Sequence, residues 1–140
     1  MLNRTKQFTL KNGEWAGSIV ANQSGYSGGM PARVNSAAEI ARAYDDTGYV
    51  GIYANGSDVD VSGNPVTFYA GPGIFTLEKG AGEAAYPYNE ALTYAAGEAV
   101  GILAGEWSNT GYATYYERAR VVGVGTVSGG VTTSLTLLFF

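Results

Sequence analysis

The chain has 140 residues, enough for one domain that buries a core without disulfides or metals. It contains neither Cys nor His, which removes thiolate chemistry, disulfide frameworks and the usual general base and metal ligand near neutral pH. Eight basic residues against twelve acidic ones give a net charge of −4, the wrong sign for broad phosphate neutralisation, so no direct nucleic-acid binding is expected.

Residues 1–15, MLNRTKQFTLKNGEW, place Arg4, Lys6 and Lys11 ahead of the first acid at Glu14, with Leu2, Phe8 and Leu10 scattered among polar neighbours. The stretch lacks the apolar core of at least about seven residues that a signal peptide needs. No run approaches the roughly 18 apolar residues of a spanning helix. We therefore expect an N-terminal arm over 1–15 and a single β-rich domain over 16–140, made in the cytoplasm and without a membrane anchor.

Twenty-one Gly, about twice the ordinary usage of roughly 7%, together with eleven Tyr, mark short strands joined by tight turns. GSIVAN, residues 17–22, reads as a strand, and QSGYSGGMP after it as a flexible loop. NSAAEIARAYDDTG is the one helix signal. Ser36 and Glu39 form a capping box, Ala37, Ile40, Ala41 and Tyr44 share one face, and Gly48 closes the segment. YVGIYA then meets Asn55-Gly56, a strong hairpin signal, and VTFYA and IFTLEK follow around Gly71-Pro72-Gly73. Residues 80–90 read as a loop, and LTYA, AVGILA, GYATYYERARVVGVGTV and VTTSLTLLFF as strands. The fold class expected is mainly β, a small barrel or sandwich of about 8–10 short strands with one capping helix over about 36–45.

Several motifs invite chemistry. Gly25-Tyr26-Ser27-Gly28-Gly29 matches the G-x-S-x-G serine elbow, but without His the triad cannot be completed, so a loop with a dispensable Ser27 is expected and no enzyme. Asp58, Asp60, Ser62 and Asn64 resemble the first half of a Ca²⁺ loop, yet Tyr69 stands where the bidentate acid belongs; solvent exposure on one strand face explains the Asp58/Asp60 pair equally well. Neither a metal nor a cofactor is expected. A glycosidase pair, from Asp58 and Asp60 or from Glu83 and Glu90, is not decided by spacing, because carboxylate separation is a property of the folded chain. Tyr112, Tyr115 and Tyr116, ahead of Arg118 and Arg120, suit either ring stacking on a ligand or ordinary strand packing.

Gly97, Gly101 and Gly105 recur every four residues in ALTYAAGEAVGILAGEW. In β-rich company we read AAGE as a turn and Ala99–Ala104 as a buried strand in which Gly101 lets another group approach the backbone closely. GEAVGILA, residues 97–104, resembles the turn-and-strand phrase of the small head decoration proteins of tailed phages, the lambda-like capsid cement group. TYYERARV, residues 114–121, is similar to a later strand of that group with an aromatic and basic residues. The resemblance implies a structural virion protein without catalytic chemistry, a homotrimer or alternatively a dimer. It implies a place on the outer capsid surface, where the protein bridges neighbouring subunits of the major capsid protein against genome pressure. The basic opening stretch, with Arg4, Lys6, Phe8, Leu10, Lys11 and Trp15, is then the capsid-contact arm, adding as a strand to the capsid protein. Leu137, Leu138, Phe139 and Phe140 are expected in the core or against another copy. The alternative is a carbohydrate- or receptor-binding β-module of a fibre or lectin type, suggested by the Tyr content and the Asp58/Asp60 pair.

Overall fold

A computed structural model describes residues 2–6, 14–18, 27–36, 40–53, 65–80, 83, 85–112, 117–126, 130 and 132–140. The protein is mainly β. Eleven strands lie among the described residues: β1 (Leu2–Lys6), β2 (Glu14–Ser18), β3 (Pro31–Val34), β4 (Ile40–Arg42), β5 (Tyr49–Tyr53), β6 (Pro65–Tyr69), β7 (Gly73–Glu78), β8 (Ala99–Leu103), β9 (Glu106–Ser108), β10 (Ala119–Thr126) and β11 (Thr132–Phe139). They form two antiparallel sheets, one in the order β1-β7-β11-β10-β8-β9 and the other in the order β2-β6-β5-β3-β4. One sheet therefore takes β2 to β6 and the other β7 to β11, with β1 crossing over to join the latter.

Burial alternates along GIFTLE and over the last five residues of β11, and both β7 and β11 are interior strands of the larger sheet. Phe75 and Leu77, and Leu135, Leu137 and Phe139, are buried on one face, as a period of two requires. Leu77 pairs with Leu135 and Phe75 with Leu137 across the strands. Trp107 on β9 completes this core, edge-on to Phe139 with ring centroids 5.1 Å apart and to Tyr49 at 5.8 Å.

The expected helix over 36–45 is not formed, and no helix occurs among the described residues. Ile40–Arg42 is instead β4, paired with β3 through Val34↔Ile40, Arg33↔Ala41 and Ala32↔Arg42. Ile40, Ala41 and Ala43 are buried, whereas Tyr44, which the helical face would have buried, is 56% exposed. A helix this short is marginal alone, and pairing with the open side of β3 outweighs its intrinsic propensity. The Asp45 carboxylate accepts the Thr47 N–H at 2.8 Å, a side-chain turn that swings the chain into β5 and holds the Asp45 carboxyl below its ordinary range.

The recurring glycines have separate roles. Gly97 and Gly105 take φ of +91° and +84° in the turns on either side of β8, a conformation that an L side chain rarely adopts. Gly101, within β8, lies under the Tyr112 ring, where an added Cβ would stand 2.5 Å from Cδ2. Two other expectations change. LTYA, residues 92–95, is turn and irregular chain, with Tyr94 buried and its hydroxyl donating to the Asn89 and Trp107 carbonyls at 3.0 and 3.2 Å. Strands β3 and β9, of four and three residues, are too short to announce themselves by periodicity.

Candidate functional site

Ser27 does not lie in a flexible loop. It is fully buried, and its hydroxyl donates to the Ala85 carbonyl at 2.6 Å. The neighbouring Gly28 N–H donates to Glu83 Oε2 at 2.7 Å, and Glu83 Oε1 accepts the Gly80 N–H at 2.6 Å. Gly29 completes the brace, donating its N–H to the Tyr53 carbonyl at 2.8 Å and accepting the Trp107 indole N–H at 2.7 Å. Because Tyr53 belongs to the smaller sheet and Trp107 to the larger, residues 27–30 join the two. These buried polar groups are used to satisfy backbone partners, as buried polar groups must be. Ser27 offers no accessible oxygen to a substrate, and the Glu83 carboxylate is committed to two amides. Glu90 is exposed at the start of the 90–92 turn.

The candidate arm residues divide between the sheets. Arg4 and Lys6 lie on β1, and Trp15 on β2; Phe8, Leu10 and Lys11 lie outside the described residues, as do Asp58, Asp60, Tyr115 and Tyr116. β1 pairs antiparallel with β7, from Leu2↔Leu77 to Lys6↔Ile74, and β2 pairs with β6, from Glu14↔Tyr69 to Ser18↔Pro65. β1, within the opening stretch, and β2, which begins at its end, are therefore the outermost strands of the two sheets. Each has one ladder side that pairs with no other described strand.

The opposite margins are closed. β9 is flanked by residues 87–89, with the Trp107 N–H on the Pro87 carbonyl at 3.1 Å and the Asn89 N–H on the Trp107 carbonyl at 2.8 Å. β4 meets the β8–β9 turn: the Gly105 N–H donates to the Tyr44 carbonyl at 3.2 Å, and Arg42 Nε donates to the Gly105 carbonyl at 3.1 Å. Glu106 stands beside this seam, and burial raises its carboxyl above the ordinary range, with Arg42 opposing the shift.

Leu137 and Phe139 are core residues, Leu138 is half-buried, and Phe140 is 63% exposed. Phe140 belongs to a chain of contacts at one end of the larger sheet. Its N–H donates to the Arg118 carbonyl at 3.2 Å, and the Arg118 guanidinium makes a two-pronged pair with Asp46, at 2.6 and 2.5 Å, while lying over the Tyr49 ring at 5.4 Å. Two residues before Asp46 stands the exposed Tyr44, with the Arg42 guanidinium 5.3 Å from its ring, and across the seam lies the exposed Leu103. The Arg118–Asp46 link escaped the sequence reading because 72 residues separate the partners and no local pattern joins them. Tyr112, half-buried, rests against Gly101 of β8.

No protein-family model matches the sequence, and no curated protein matches it. The likeness to head decoration proteins thus rests on residues 97–104 and 114–121 alone. No helix among the described residues is long and apolar enough to cross a membrane.

Proposed function

We propose that this protein is a structural virion component that decorates the outer surface of a tailed-phage capsid and cements neighbouring subunits of the major capsid protein. The observation that carries the reading is the position of β1 and β2. The basic opening stretch provides β1, the outermost strand of the larger sheet, and runs into β2, the outermost strand of the smaller one, so it presents backbone N–H and C=O groups where a capsid strand can add. The engagement of Ser27 and Glu83 with backbone partners agrees with a role free of catalysis. A small homo-oligomer, a trimer before a dimer, fits the same reading, since several weak contacts made by one assembly give firm attachment through a high effective concentration.

The test is co-sedimentation with empty capsids built from the cognate major capsid protein, set beside a glycan panel. Binding to the capsid, with a rise in the temperature at which the capsid breaks, is the expected result. Glycan binding without capsid binding would replace this reading with the carbohydrate- or receptor-binding module.

A further inference from the structure

The strand β7 has two neighbours, β11 on one side and β1 on the other. Without β1, the row Gly73–Glu78 would be a sheet edge whose sequence, GIFTLE, has one charge, no proline and three large apolar residues. Such an edge is a template for another chain and must be covered. Its cover, LNRTK, has a single apolar residue. Recognition therefore falls mainly on the backbone ladder, which is the same whichever copy of the chain supplies it.

Two further features favour supply from another copy. Seven residues, 7–13, separate Lys6 from Glu14, whereas only four, 70–73, separate the opposing Tyr69 and Ile74. At about 3.3–3.6 Å per residue, the eight steps from Lys6 to Glu14 reach about 26–29 Å, against at most about 18 Å for the five steps opposite. That slack lets β1 reach a neighbour's β7 while β2 stays on its own β6. The ladder also breaks on the linker side, where two steps on β1, Arg4 to Lys6, match one on β7, Phe75 to Ile74. Charge permits either source: residues 1–6 carry Arg4 and Lys6 and no acid, so the remainder has −4 − 2 = −6, and a strand of charge +2 is drawn to the body of another copy as to its own.

We propose that the β7 edge is a strand-acceptor site and that copies of this chain are joined by exchange of β1, with Leu2–Lys6 of one copy paired to β7 of the next. This concerns only the protein's own assembly and does not depend on the capsid reading. The chain has no cysteine, and Asn3 stands opposite Thr76 in the ladder, so a disulfide engineered there reports the pairing directly. Asn3→Cys chains and Thr76→Cys chains, each separately tagged, are co-expressed, oxidised and run on a non-reducing denaturing gel. A band carrying both tags at twice 14.6 kDa is expected. The double variant should give a series of linked multimers, and deletion of residues 1–6 should remove the oligomer on size-exclusion chromatography.

The proposal is overturned if the double variant closes only within single chains, if the mixed pair stays unlinked, or if the deletion leaves the oligomer intact. Should the cysteine variants fail to fold, wild-type chains labelled light and heavy are mixed, refolded together and treated with an amine cross-linker. Lys6–Lys79 links joining one light and one heavy peptide support exchange, and the finding that every such link is of uniform isotope excludes it.

Discussion

The two sheets differ in what holds them. Behind the larger one lies a cluster that includes Phe75, Leu77, Tyr88, Val100, Trp107, Leu135, Leu137 and Phe139, with rings packed edge-on, and that Ile52 of β5 joins from the smaller sheet. Behind the smaller one the buried group is Met30, Ala32, Ile40 and Tyr53. Burying a large apolar side chain contributes roughly 1.5–3 kcal/mol, so among the described residues most of the hydrophobic driving force lies in the first cluster. The smaller sheet compensates with directed polar contacts: the Ser27, Glu83 and Gly29 brace, and the Arg42 bond across the seam. One sheet is stabilised chiefly by area and the other by geometry, which implies different sensitivities to substitution.

The largest effect is expected in the first cluster. Phe139→Ala removes a buried ring that touches both Phe75 and Trp107, and should cost about 3–5 kcal/mol in a denaturant melt. A loss under about 1 kcal/mol would mean that the aromatic cluster is not the main source of stability. Next comes Gly101→Ala, which drives a methyl group into the base of the Tyr112 ring and should cost about 1–3 kcal/mol. If the melting temperature is unchanged, the ring does not rest on the strand. Ser27→Ala strips one donor from the brace and leaves the Ala85 carbonyl unmatched, for a cost of about 1 kcal/mol. An esterase rate that disappeared along with it would reveal a second role for Ser27. The smallest effect belongs to Ser36→Ala. With no helix to cap, this exposed turn residue should shift stability by no more than about 0.5 kcal/mol; a cost of 1–2 kcal/mol would restore the cap.

The sequence made the larger sheet legible because burial alternates along β7 and over Leu135–Phe139 of β11, while β8, AVGIL, is a continuous apolar run bounded by turn glycines. It misled at 36–45, where Ser36, Glu39 and the 37/40/41/44 spacing satisfied every local rule for a helix. The deciding factor, an open ladder on β3, is supplied by residues nearby in sequence but becomes visible only once β3 is recognised as a strand. The Ser27 brace was hidden for another reason. Gly-rich, polar QSGYSGGMP has the composition of a solvent loop, and only its partners at 53, 83, 85 and 107 show why residues 27–30 are buried. Of the candidate site, the basic character of the opening stretch was readable, whereas its place at the margin of both sheets is a matter of topology.

The central position of β11 also sets an order of events in time. It is the last described strand to be made, yet it lies between β7 and β10, and Leu135 finds its partner Leu77 across 58 residues of chain. Pairings this distant make for slow folding, on the scale of milliseconds to seconds. During synthesis at about 5–20 residues per second, the 54 residues from Glu78 to Thr132 take about 3–11 s to emerge, and for that interval β7 lacks its main partner. β1, the first of the described strands to be made, is the neighbour of β7 on hand at that moment, whether from the same chain or from another on the polysome, and by occupying one of the two edges of β7 it halves the backbone left open.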